Sequence, residues 1–411
     1  MKYKKDILFL IEHDDRESEV VHRISNILRE EHGFDVSILS ILYHSHLFRK
    51  IKPKVVVVPY ALSANDWPIS YFVKKFGSQI NYINLNWEQH LAKMTKEYKA
   101  PRDTFCKKQI MHLAWSDNFK AFLAGHGVLE KNIEIIPNPT YQLLHEKCLQ
   151  SDILRKELSC KFNIVIDKAW LFLPMNYGWA FSSNSEIEAK INKGFPEEYA
   201  WNYRDYSQKC IKEFVKFAYE ISKSDEYEII IRPHPSISCD QYLELFADEI
   251  GVIPSSIKFS KEYSIREWIS ASDIVGSSWS TSVWDAVNVG KLGFLFTPYE
   301  RPESHEVWWN VLVPNINKAE DVSFLLNKKS NNSIVDTISS INTIALWIVD
   351  VLLSSNASEI QNQKIENNLS HLRSILYMLR SQVRSILAKN FNGIGIKKGM
   401  LRDYFDYSDL R

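Results

Sequence analysis

Short, mostly apolar runs, each closed by a polar or proline-containing stretch, recur along the first half of the chain. Residues 7–11, 36–41, 54–59, 81–85 and 133–136 are of this kind. Runs so rich in valine, isoleucine and leucine, unbroken at 7–11 and 55–59, predict strands buried on both faces, as in a parallel sheet. Between them, residues 19–31 carry apolar positions at helical spacing and end at Gly33, and residues 105–115 and 118–123 also read as helices. The second half repeats the style. Strands are predicted at 169–174, 228–231, 273–275 and 294–296, with another near Ile253, and helices at 206–222 and 283–289. This alternation predicts an α/β protein of two Rossmann-like domains facing each other, with ligands in the cleft at the C-terminal ends of the strands. The expected domains are 1–155 and 165–330, followed by a helical tail over 331–411.

The tail has a different character. Residues 337–356 are apolar and helical in parts. Residues 372–388 place apolar side chains at helical spacing, with Arg373, Arg380 and Arg384 between them and Lys389, Lys397, Lys398 and Arg402 beyond. Packing back on the N-terminal domain and reversible contact with a membrane surface are both open to such a segment.

Length and charge narrow the class. A chain of 411 residues exceeds one ordinary core and suits two domains. Lysine and arginine (50) balance aspartate and glutamate (50), so no global basic field argues for nucleic acid. Five scattered cysteines without a C-x-x-C pair argue against a disulfide or zinc scaffold and for a reducing cytoplasm. The apolar run at 7–11 stops at Glu12-His-Asp-Asp-Arg16, which predicts a first strand rather than an export signal.

Candidate chemistry sits where predicted strands end. Ile229-Ile-Ile-Arg-Pro-His-Pro-Ser236 runs a strand into a loop stiffened by two prolines, holding Arg232 and His234 where they can grip a phosphate. Ser280, Thr281 and Ser282 open the helix predicted at 283–289; they suit an anion or a plain N-cap equally. In the first half, Glu12, Asp14, Asp15, Arg16 and Glu17 crowd the end of strand one, and Glu88 stands between Trp87 and Gln89. Glu88, Asp14 and Glu17 are the candidate catalytic carboxylates. Asn176 and Tyr177, in a loop after the 169–174 strand, together with Glu12, Arg16, Lys291 and Glu303, are candidates for contacting sugar or nucleotide. No Asp-x-Asp motif appears at a strand end, so no metal or cofactor is expected.

Arg232-Pro-His-Pro235 followed by Ser280-Thr-Ser282 resembles the motif pair of bacterial surface-polysaccharide glycosyltransferases with the two-domain GT-B architecture. Leu10-Ile-Glu-His-Asp-Asp-Arg-Glu17, Asn84-Leu-Asn-Trp-Glu-Gln89, Ile136-Pro-Asn-Pro-Thr140 and Asn176-Tyr-Gly-Trp179 are similar, in the same order, to stations of the retaining β-Kdo transferases among the surface carbohydrate biosynthesis proteins. The resemblance implies transfer of Kdo or a related ulosonic acid from its CMP-activated donor to a nascent lipopolysaccharide O-antigen or capsule glycan. It implies a lipid-linked acceptor at the cytoplasmic face of the inner membrane, and donor-phosphate roles for Arg232, His234, Ser280, Thr281 and Ser282. Those relatives often carry Asn-Pro-Arg-x-Asp where this chain has Asn138-Pro-Thr-Tyr-Gln142, which leaves the acceptor open. Another CDP- or UDP-linked donor, and a non-catalytic assembly subunit, are the alternative readings.

Overall fold

The computed structural model describes residues 3–93, 96–192, 195–234, 236–326, 339–354 and 371–391. They form two compact units. The first takes its residues from Met1–Leu91, Thr95–Gln142 and Ile338–Arg411, the second from Ala92–Met94 and Leu143–Thr337.

Unit one begins with β1 (Tyr3–Ile11), α1 (Asp14–Glu30), β2 (Val36–Ser40), β3 (Ile51–Val58), α2 (Ile69–Phe76) and β4 (Asn81–Asn84). It continues through α3 (Thr104–Lys108), β5 (Ile110–Ala114), α4 (Asp117–Gly125) and β6 (Ile133–Ile135) to α5 (Pro139–Cys148), whose first turn closes this part of the unit. Among the described residues the sheet order is β2-β1-β3-β4-β5-β6, and every pairing is parallel. Val55 to Val58 are fully buried, as an all-valine run between two covered faces must be. Helix α1 buries Val20, Val21, Ile24 and Leu28, which helical geometry places on one face.

Unit two contains α6 (Ser151–Phe162), β7 (Ala169–Pro174), α7 (Asn184–Ile191), α8 (Glu197–Ser222), β8 (Tyr227–Arg232) and α9 (Cys239–Ile250). After these come β9 (Ile257–Phe259), α10 (Ile265–Ala271), β10 (Ile274–Ser277), α11 (Thr281–Asn288), β11 (Leu292–Phe296), β12 (Asn315–Ile316) and α12 (Glu320–Leu326). Its strands run in the order β12-β11-β10-β7-β8-β9, again in parallel. Helix α8 covers one face with Ile211, Phe214, Val215 and Ala218, which join Leu171, Leu173, Ile229 and Ile231 in one core.

The chain then returns to unit one. Helix α13 (Ser340–Ser354) packs on α1 and buries Ile341, Ile344, Ala345 and Ile348. Each isoleucine so buried contributes roughly 1.5–3 kcal/mol relative to exposure. Asn81 Nδ2 donates to Val351 O (2.9 Å), tying the helix to the start of β4. Helix α14 (His371–Phe391) lies against the short 3-10 turn Ser45–Lys50 of the same unit.

One expectation fails. Residues 105–115 are not one helix: α3 stops at Lys108 and β5 follows. The apolar spacing of this stretch fits a helix, but Ile110, Met111 and His112 pair in register with β4, and the ladder decides. The short strand expected near Ile253 is β9, which begins at Ile257, after Pro254.

Gly276 in β10 lies opposite Phe294 of β11. A Cβ there would stand 2.1 Å from the Phe294 ring, so the ring occupies the space that any other residue would need. Gly276→Ala is therefore expected to destabilise the protein by about 1–3 kcal/mol or more. Gly276→Ala combined with Phe294→Leu recovers part of that loss. Urea unfolding of the two variants checks both statements; an unchanged midpoint in the single variant would contradict this packing.

Candidate active site

In unit two, β10, β7 and β8 are sheet neighbours, so the loops at their C-terminal ends lie side by side. Ser277 Oγ donates to Pro174 O and joins the first two ends. Met175 N–H donates to Arg232 O (3.0 Å) and joins the second and third. Gly178 lies directly against the histidine loop. A Cβ at this position would meet His234 Nδ1 at 3.0 Å and Ser236 Oγ at 3.1 Å. Thus three segments read separately in the sequence, 175–179, 232–236 and 278–282, come together in space.

His234 is oriented by its own loop. The backbone N–H of Ser236 donates to Nδ1 (3.2 Å), and Ser236 Oγ stands 2.7 Å from the same atom. With Nδ1 accepting, the neutral ring carries its proton on Nε2. Arg232 Nη1 donates to Glu262 O (3.1 Å), which anchors it to the loop after β9. Ser280 caps α11: its Oγ accepts from Ser282 N–H (3.3 Å) and lies 2.9 Å from Ser282 Oγ. Thr281 is exposed, whereas Ser282 is buried. Arg301 Nη2 donates to Ser278 O (3.3 Å) and braces the turn. Trp179 and Trp279, one from each flanking loop, pack on Tyr203 of α8 at 4.8 and 5.6 Å, giving the loops a rigid aromatic backing.

In unit one the strand ends carry a charge cluster. Arg16, in the first turn of α1, donates to Glu88 Oε1 (2.9 Å), Glu17 Oε1 (2.9 Å) and the Tyr60 hydroxyl (2.5 Å). Lys99 pairs with the other oxygen of Glu88, and its ammonium stands 5.1 Å over the Tyr60 ring. Burial pushes the Glu88 carboxyl up, but Lys99 and Arg16 more than offset this and hold it down at about 2. Glu88 is therefore an ionised carboxylate between two cations.

The turn that presents Glu88 is built from buried amides. Asn86 has a left-handed backbone (φ 49°), a conformation asparagine tolerates better than most residues. Asn84 Nδ2 donates to Asn86 Oδ1 (2.7 Å), and Asn86 N–H donates back to Asn84 Oδ1 (3.1 Å). Asn86 Nδ2 and Gln89 Nε2 both donate to Leu113 O, at 3.0 and 3.1 Å. Trp115 N–H donates to Gln89 Oε1 (2.7 Å). Below them His112 Nε2 donates to Cys106 O (2.7 Å), and burial lowers its pKa to about 4, keeping the ring neutral. Every amide in this network has a partner, so the turn is fixed.

Several predicted site residues occupy other positions. Glu17 is fully buried; Oε2 accepts from Glu12 N–H (2.9 Å) and Oε1 holds Arg16, so it positions Arg16 and presents no surface to a substrate. Tyr177 is fully buried beside Phe214 and Trp279, and its ring is core rather than a sugar contact. Lys291 Nζ donates to Ser270 O (2.8 Å) and Ser272 O (3.0 Å) at the end of α10, so its charge serves a helix terminus. Glu303 is exposed and pairs with Lys93. Asp14 opens α1, where a carboxylate suits the helix dipole, and Glu12 directly follows β1. Asn176 is half-buried on the loop after β7. Sequence reasoning missed Tyr60 and Lys99. Tyr60 follows the run Val55-Val-Val-Val-Pro59 at a strand end, a signal that was available; Lys99 carries none.

No protein-family model matches the chain, and no curated protein matches it. Solved structures do. The wall teichoic acid polymerase TagF is similar over 87% of this chain and 90% of its own, at 11% identity and a TM-score of 0.53. UDP-GlcNAc 2-epimerase from Neisseria meningitidis, bound to UDP-GlcNAc, is similar over 86% of this chain and 100% of its own, at 14% identity and a TM-score of 0.51. The chain has a GT-B-like fold. A putative UDP-N-acetylglucosamine 2-epimerase from Listeria monocytogenes shares it over 99% of this chain and 100% of its own, at 11% identity and a TM-score of 0.51. At these identities the likeness establishes architecture.

The depressed Glu88 pKa has a signed consequence. A carboxylate held below its ordinary value near 4.5 adds stability in full above that value and loses it as pH falls towards about 2. Glu88→Gln removes this contribution. The stability gap between wild type and variant is expected to be constant above neutral pH and to shrink on acidification below the ordinary carboxylate range. The gap is small, because the side chain is 42% exposed and solvent screens the pairs. Urea titrations at pH 7 and pH 3 read it directly, and a gap that widens in acid contradicts the ion pairing.

Proposed function

We propose that this protein is a glycosyltransferase of bacterial surface-polysaccharide synthesis that uses a nucleotide-linked donor, and that the donor is CMP-activated Kdo or a related ulosonic acid. The observation that carries the reading is the meeting of the 175–179, 232–236 and 278–282 loops, with His234 oriented by Ser236 and pressed against Gly178. Transfer breaks the bond between the anomeric carbon and a phosphate oxygen, and the leaving phosphate gains charge. A fixed Nε2–H donor and the N–H groups at the start of α11 are suited to stabilise that charge. Arg232 adds positive potential nearby. Glu88, ionised and held by two cations, suits attack on an oxocarbenium-like centre or acceptance of a proton, and not donation of one. Arg16 and Lys99 provide the cations that an acidic sugar requires. The resemblance in the first half of the chain supports the Kdo donor, and a lipid-linked glycan is the proposed acceptor.

A second reading keeps the fold and changes the donor. TagF has been soaked with CDPG and the Neisseria epimerase binds UDP-GlcNAc, so a CDP- or UDP-linked substrate is the competing class. Calorimetric titration with CMP, CDP and UDP separates the two. CMP binding most tightly supports the ulosonic acid donor; tighter CDP or UDP binding favours the second reading, and no binding by any of them removes both. His234→Ala is expected to reduce turnover by roughly 10²-fold or more without altering the thermal unfolding midpoint, since it deletes a donor to a developing charge. Wild-type turnover in that variant would refute the assignment.

Because Arg232, His234 and the α11 terminus supply the positive potential, activity is expected to persist in excess EDTA. Complete loss, restored by magnesium or manganese, would overturn that part of the proposal.

A further inference from the structure

Helix α14 attaches to unit one by its small residues and turns its large ones outward. Ser374, Ser381, Ser385 and Ala388 are buried, whereas Leu379, Val383 and Ile386 are 52%, 55% and 50% exposed. Ile375, Leu376 and Leu387 are exposed beside them. At 3.6 residues per turn these six apolar residues fall within about 120° of arc, and the four buried ones lie on the opposite side. The attachment is specific. His46 N–H donates to Ser381 Oγ (2.9 Å), and Tyr377 stacks on Trp67 at 4.9 Å and 12°. This rotation is the reverse of what core packing selects, since the side chains with most apolar area face away from the protein.

Charge identifies the occupant of that face. Arg373, Arg380 and Arg384 are exposed and run as a stripe along one edge of the apolar arc. No aspartate or glutamate occurs between His371 and Phe391. The 3-10 turn under the helix ends in Arg49 and Lys50, both exposed, which continues the positive surface. An apolar arc bordered by arginines fits a bilayer whose headgroups are anionic: leucine, valine and isoleucine enter the acyl boundary while the guanidinium groups meet phosphate. No described helix is long and apolar enough to cross a membrane, so the contact lies in the plane of the surface. We propose that α14 is an interfacial helix that seats unit one on an anionic bilayer. The proposal does not depend on the donor assigned above.

The test is co-sedimentation of the full chain with vesicles of phosphatidylcholine alone and of equal parts phosphatidylcholine and phosphatidylglycerol. Binding is expected to the mixed vesicles and to weaken with salt. Arg380→Glu with Arg384→Glu should weaken it by roughly tenfold or more, given about 1 kcal/mol per basic residue at such a surface. Leu379→Ser with Val383→Ser should abolish it while leaving the circular dichroism spectrum unchanged, because both side chains are exposed. Three results would overturn the proposal. One is wild-type protein that stays in the supernatant at low salt. Another is variants that bind as wild type does. The third is sedimentation equilibrium showing a dimer that the serine variant dissociates, which would assign the face to a second copy of the chain.

Discussion

A parallel strand covered on both faces keeps few polar side chains along its length, and those it keeps depend on hydrogen bonds inside the core, as Asn84 and His112 do. Both sheets of this protein obey that constraint, and the positions of the other features follow from it. Ladder hydrogen bonds consume the backbone groups of β3 and β7, and helices cover their side chains. The turn after the strand is where a charge can stand with access to solvent. Hence Glu12, Tyr60 and Glu88 follow β1, β3 and β4, and Met175 to Gly178, His234 and Ser278 to Ser282 follow β7, β8 and β10. The candidate residues of both units therefore collect at the C-terminal ends of the strands.

The same constraint decided what was legible. Strands such as 169–174 and 55–58 announce themselves, since few other structures use an unbroken apolar run of that length. The ends of those runs then mark candidate residues, and His234, Arg232 and Glu88 were found that way. Residues 105–115 were not legible, because their apolar spacing suits a helix and only pairing with β4 and β6 makes Ile110–Ala114 a strand. Direction within a turn was equally hidden. Nothing local says that Glu17 points inward to Arg16 while Glu88 reaches solvent, or that Tyr177 joins Phe214 in the core. Lys99 entered the cluster through a contact with no pattern in the chain.

Two glutamates show how burial divides one chemistry into two roles. Glu17 is wholly enclosed, so burial raises its pKa against the pull of Arg16, and its oxygens orient neighbours. Glu88 keeps access to water and two cations, so it stays charged and available. What separates them is the turn of buried amides around Asn86, which pushes Glu88 outward while Trp87 and Gln89 on either side are held in. The precision of the charged cluster rests on that neutral network.

The bond from Ser236 N–H to His234 Nδ1 reaches beyond orientation. It occupies the nitrogen that would otherwise compete for the ring proton, so the opposite nitrogen bears hydrogen whether the imidazole is neutral or cationic. A hydrogen-bond donor arranged in this way does not switch off when the ring loses its charge. Only its strength as a donor changes.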